Sequence, residues 1–265
     1  MHPRAPTDTP YAMISDLRTI LDGWEYERGK ISVRKIIGRD GQDKVQTRID
    51  LGVLQIELDG RPDGQRPKGY DAYLDFLEEQ ADRHIELYGD DEDFVLTPED
   101  CQELRHEAYL YYQRYLSLFV LEDFERVVRD TARNLRVIDF CERYAATQDD
   151  RVALAPQRAY VLMMNARARA CLALQSDDPQ AALDAVDAGF ASLHALCQSD
   201  DDEAACRGEF RILSELRQDV LGKMPPSAPA RLQLELQTAL EQEDYKKAAQ
   251  LRDALAAEHP AADIP

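Results

Sequence analysis

Cysteine is scarce in this 265-residue chain and so is histidine, with five of each. Cys101, Cys141, Cys171, Cys197 and Cys206 are scattered, and no CxxC pair occurs, so a zinc-ribbon or thioredoxin-type site is excluded. They read as separate, reduced, buried thiols. The histidines, His2, His84, His106, His194 and His259, form no HExxH, and GxSxG and Gly-rich phosphate loops are also missing. No catalytic constellation, metal site or cofactor site is therefore expected. No apolar run approaches the roughly 18 residues of a membrane span. The start, MHPRAPTDTP, has no apolar signal core, so a cytoplasmic protein with no membrane contact is expected.

Basic charge is in short supply too. The chain carries 32 Lys and Arg against 51 Asp and Glu, a net charge of −19. Residues 1–69 are almost balanced at +1, residues 70–228 hold −17 and residues 229–265 hold −3. The acidic middle repels phosphate backbones, so direct nucleic-acid binding is not expected.

What is present is mostly helical periodicity. Thr9-Pro10 opens a helix whose stripe is Ile14, Leu17, Ile20, Leu21 and Trp24, stopping near Gly29. Residues 31–58 change to period two. Val45, Thr47, Ile49 and Leu51 alternate on one phase and Leu54, Ile56 and Leu58 on the other, which predicts a β-hairpin with a bulge at Gly52. From Tyr70 onward the helical period is continuous. Tyr70, Tyr73, Leu74, Leu77, Ala81 and Ile85 make one stripe. Leu104, Ala108, Tyr111, Tyr112, Tyr115 and Phe119 make the next, and their tyrosines read as core. Thr97-Pro98-Glu99-Asp100 and Asp178-Pro179 are helix starts. The acidic run 90–93 lacks the glycine and the late glutamate of an EF-hand loop. The segments 111–135 and 159–190 share a layout of helix, acidic turn and small-residue helix. They resemble tetratricopeptide-type helical hairpins.

After the linker Gly222–Pro229, a leucine-spaced segment carries Leu232, Leu236 and Ala239, then Glu243-Asp244-Tyr245 at a turn. Ala248, Ala249, Leu251, Arg252 and Asp253 follow on the return helix. This run resembles the UVR motif of UvrB, UvrC and McsA-like adaptors. The resemblance covers about a tenth of the chain and implies a helical hairpin that contacts another protein or a second copy of itself. The nuclease and Walker signatures of the larger repair proteins and the zinc-type cysteines of McsA-like adaptors are missing here.

The fold expected is mainly α: stacked antiparallel helical hairpins with an N-terminal β-hairpin and a tethered C-terminal helical hairpin. The division expected is 1–69 for the first helix, the β-hairpin and a Gly/Arg/Asp loop, 70–221 for the tetratricopeptide-like scaffold, 222–230 for the linker and 231–259 for the UVR-like hairpin. The function expected is a non-enzymatic adaptor or scaffold that binds a partner, or itself, through Leu232, Leu236, Ala239, Tyr245, Ala248, Ala249, Leu251, Arg252 and Asp253. Two alternatives stay open. One is a small enzyme or anionic-ligand sensor using a loop with Glu57, Asp59, Arg61, Asp63 and Arg66, where clustered carboxylates and guanidinium groups could move protons or clamp an anion. The other is an accessory factor of a nucleic-acid repair complex.

Overall fold

The computed structural model describes residues 17–198 and 204–258. The fold is mainly helical, with a small antiparallel sheet at the N-terminal end. Helix α1 covers only Arg18–Leu21, and the expected start at Thr9-Pro10 lies outside the described residues. Trp24, beyond α1, is pinned to the sheet instead: its indole donates to Ser32 Oγ at 2.7 Å, and the Arg34 guanidinium lies 4.0 Å from its ring centre.

The sheet has three strands in sequence order, β1 (Ser32–Ile37), β2 (Asp43–Ile49) and β3 (Gly52–Glu57). This corrects the bulge expected at Gly52. Ile49 pairs with Gly52 across a two-residue turn, Asp50-Leu51, so the change of phase is a reversal of the chain rather than a kink. Val45 pairs with Ile56 and both are buried, which explains how the two phases can share one face. Gly52 needs no unusual backbone. A β-carbon there would meet only the Ile49 side chain, at 3.8 Å.

The helices follow as α2 (Tyr73–Tyr88), α3 (Pro98–Val120), α4 (Phe124–Tyr144), α5 (Gln148–Val152), α6 (Arg158–Gln175), α7 (Pro179–Leu196), α8 (Arg207–Lys223), α9 (Pro229–Glu241) and α10 (Tyr245–Glu258). Helix α3 starts with a capping box: Asp100 N–H donates to Thr97 Oγ1 at 3.2 Å, and Thr97 N–H donates to Asp100 Oδ2 at 2.9 Å. Asp178 caps α7 by accepting from Ala181 N–H at 2.9 Å.

Three helical hairpins, α3/α4, α6/α7 and α9/α10, are closed by the same turn. Glu122, Asp177 and Glu243 sit in the left-handed region at φ 58°, 56° and 57°. The N–H of the next residue, Asp123, Asp178 or Asp244, reaches back five residues to the carbonyl of Leu118, Ala173 or Ala239, at 3.0, 3.0 and 2.8 Å. This is a Schellman closure built without glycine. Glycine carries no Cβ penalty at such a φ, so Glu122→Gly and Asp177→Gly should each raise stability by about 0.5–1 kcal/mol. Thermal unfolding checks this, and a lower midpoint in either variant would contradict it.

Two clusters of buried side chains hold the body. One runs from Val45, Ile56 and Leu58 of the sheet region through Tyr115, Leu118 and Val127 to Met163, Val186, Leu193, Leu213 and Met224. The other joins α2, α3 and α4 through Leu74, Leu77, Leu104, Val137 and Cys141. One pair corrects the expectation of five separate thiols. Cys197, at the end of α7, and Cys206, just before α8, form a disulfide, because the packing of these two helices brings their ends together. Cys101 and Cys141 are free and buried, and Cys171 is free and half-buried. The chain between α8 and α9 is only Met224–Ala228. Met224 is packed into the first cluster, and its carbonyl accepts from Arg231 Nη1 at 2.8 Å.

Candidate functional site

The loop after β3 is drawn inward by arginines from two helices. Its turns need left-handed backbone, supplied by Gly60 (φ 63°) and Gly64 (φ 74°). Such tight turns leave main-chain carbonyls without partners in secondary structure, and these must be paired if they are buried. Arg114 of α3 donates through Nη1 to the carbonyls of Glu57 (3.0 Å) and Gly60 (2.8 Å). Its Nε and Nη2 form a fork on Asp130 of α4, at 2.7 and 2.8 Å, with both side chains buried. Arg129 donates to Leu58 O at 2.8 Å and to Asp59 at 2.9 Å. Tyr111 lies between two guanidinium groups, 4.6 Å from Arg114 and 4.0 Å from Arg133, and its hydroxyl donates to Gly60 O at 3.3 Å.

The five loop residues singled out in the sequence are thereby separated. Arg61 turns into the protein and is buried beside Glu103 (2.7 Å), Glu107 (3.3 Å) and Asp63 (3.2 Å). Glu107 is wholly buried, takes a hydrogen bond from Arg133, and caps α2 from a distance by accepting from the N–H groups of Tyr73 (2.7 Å) and Leu74 (3.2 Å). Glu57 is paired with Lys44 across the sheet. Asp59 lies on the surface, where the hydrogen bond from Arg129 holds its carboxyl below the usual range. Arg66 pairs with Asp71 at 3.0 Å in the open. Each charged group of the loop therefore already has a counter-charge within the protein. Sequence reading missed the partners Glu103, Glu107, Arg114, Asp130 and Arg133. Each falls within a helix, with no local sign that it meets the loop.

The C-terminal hairpin divides its candidate residues by face. Leu232, Ala239 and Ala248 are buried between its helices, and Leu236 and Leu251 are half-buried there. Tyr245, Ala249, Arg252 and Asp253 face outward, the last two paired at 2.9 Å. Beside the turn, Leu240 and Tyr245 are 51% and 68% exposed, which leaves an apolar tip on an otherwise polar hairpin. Contact with the body runs through Ala228, Ala230 and Leu234.

Two cavities complete the description. One of about 660 Å³ lies between the sheet and α3, with Thr47 Oγ1 and Ser117 Oγ 2.6 Å apart among its lining residues. Another, of about 340 Å³, lies between α3 and α6 and is lined by Tyr109, Tyr112, Tyr115 and Tyr160. The tyrosines expected to be core are thus divided: Tyr111 and Tyr115 are buried, whereas Tyr112 is half-buried; Tyr109, outside that stripe, is 56% exposed. Among the described residues no group of histidine, cysteine and carboxylate side chains could hold a metal ion, and no helix is long and apolar enough to cross a membrane. No protein-family model matches this chain, and no similar curated protein or solved structure was found.

Proposed function

We propose that this protein is a scaffold that binds a second protein, or a second copy of itself, through its C-terminal UVR-like hairpin. The observation that carries this reading is the apolar tip, Leu240 and Tyr245, held outward on a hairpin that buries Leu232, Ala239 and Ala248. A helical hairpin of about 30 residues buries too little surface to stand alone, and exposed apolar groups at its tip gain by being covered. The contact is expected to be protein rather than nucleic acid, because the body behind it carries most of the net charge of −19. Arg252 and Asp253, exposed on α10, supply charges of both signs that could set the register of a facing helix.

The test uses the whole chain with Leu240→Asp and Tyr245→Asp combined. Both positions are exposed, so the fold should persist, checked by circular dichroism. Light scattering and affinity capture should then show loss of the self-associated mass or of a bound protein present with the wild type. A double variant that keeps both the wild-type mass and the wild-type set of bound proteins would sink the proposal.

A further inference from the structure

The cavity between α3 and α6 belongs neither to the loop nor to the C-terminal hairpin. Tyr109, Tyr112 and Tyr115 follow one another at a spacing of three along α3, so their rings stand on one side of that helix. Tyr160 projects from the first turn of α6, and Pro156 and Gln157 come from the short 3₁₀ turn before it. The ring of Tyr112 meets Tyr115 edge-on with centres 5.5 Å apart, stacks against Tyr109 at 6.3 Å and is tilted to Tyr160 at 6.3 Å.

The hydroxyls are the informative atoms. Tyr115 is only 1% exposed. Buried hydroxyls normally have partners, and those of Tyr111, Tyr73 and Tyr144 do. The hydroxyls of Tyr112, Tyr115 and Tyr160 form no hydrogen bond with any described residue, yet none is among the buried polar atoms sealed off without a partner. All three residues line the cavity.

We propose that this cavity binds a neutral, planar aromatic compound carrying a hydrogen-bond acceptor. Aromatic walls meeting edge-on and tilted suit a flat ring. Burial pushes the Tyr115 hydroxyl pKa up, with Tyr160 and Tyr112 adding to the effect, and burial raises Tyr160 as well. These phenols therefore stay protonated at neutral pH and are able to donate. Charge at the site is already balanced: Arg105, in the cavity wall, is paired with Asp150 at 2.6 Å. A charged ligand would meet no uncompensated partner there, which favours a neutral one. The volume, about 340 Å³, lies at the lower end of the range for small-ligand sites.

The test is titration of the full chain with benzamide, quinoline and purine, read by saturation-transfer NMR and calorimetry. At least one should bind saturably. Tyr115→Phe and Tyr160→Phe remove only hydroxyls and should weaken that binding about tenfold. Tyr88→Phe, exposed on α2, should leave it unchanged. If benzamide is the ligand that binds, the non-aromatic cyclohexanecarboxamide should bind several-fold more weakly. Failure of all three probes to bind saturably to folded protein would overturn the proposal. Wild-type affinity in both Phe variants would do the same.

Discussion

Arg114→Met is expected to lower the unfolding free energy by about 3–5 kcal/mol, a loss typical of breaking a buried ion pair from one side. The arginine is 1% exposed and serves four acceptors: both oxygens of Asp130 and the carbonyls of Glu57 and Gly60. Methionine fills much of the space but donates nothing, so the buried Asp130 carboxylate keeps only Arg129 Nε, at 3.0 Å, the Gly60 carbonyl keeps only the longer bond from the Tyr111 hydroxyl, and the Glu57 carbonyl loses the Arg114 bond. Arg114→Lys keeps the charge and loses the fork, and should fall between the wild type and Arg114→Met. The discriminating variant is the double substitution Arg114→Met with Asp130→Leu, which removes the stranded charge and should recover part of the loss. Urea unfolding of the wild type and these variants, with Asp130→Leu alone to close the cycle, gives the coupling energy directly. A loss under about 1 kcal/mol for Arg114→Met would show that the loop after β3 does not depend on α3 for its place.

The same residues show what the sequence can disclose. Thr97-Pro98-Glu99-Asp100 announces the start of α3 because a capping box is local chemistry, complete within four residues. The hairpin turns at Glu122, Asp177 and Glu243 are similarly local, and so is the acid-aromatic turn of the C-terminal hairpin. The reversal at Asp50-Leu51 is visible only as a change of phase. The turn has none of the Asn-Gly or Asp-Gly pairs that usually mark a two-residue hairpin, so the phase change reads as a bulge. The inward turn of Arg61 is not legible. Its partners Glu103 and Glu107 lie more than 40 residues further along the chain, and an arginine between glycines and prolines reads equally as a surface turn or a ligand clamp. Likewise, nothing in a stripe of tyrosines tells which hydroxyls find partners. That depends on where α6 passes α3, a tertiary fact.

Gly189 is equally silent in the sequence, and its replacement is the second large effect expected. It lies in α7 where α6 and α8 converge. A β-carbon built on it would stand 2.5 Å from the Cβ of Ala166 and 3.1 Å from the Cδ1 of Leu213. Ala166 has no side-chain torsion with which to move aside, so the helices themselves must separate. In an exposed helix, glycine to alanine gains about 1 kcal/mol from propensity. Here overpacking should exceed that gain, so Gly189→Ala is expected to cost about 1–2 kcal/mol net and Gly189→Val about 3 kcal/mol or more. Gly208 and Gly222, both in α8 with open space where a methyl group would stand, provide the contrast: alanine at either should stabilise. Ala166→Gly combined with Gly189→Ala moves the methyl from one helix to the other and should recover most of the loss. Because α8 carries the joint to the C-terminal hairpin, Gly189→Val should also loosen the seat of Ala228, Ala230 and Leu234, seen as faster proteolysis between residues 224 and 228. Thermal unfolding decides the matter. If Gly189→Ala melts higher than the wild type, as the Gly208 control should, then α6 and α7 do not meet as closely as their glycine and alanine indicate.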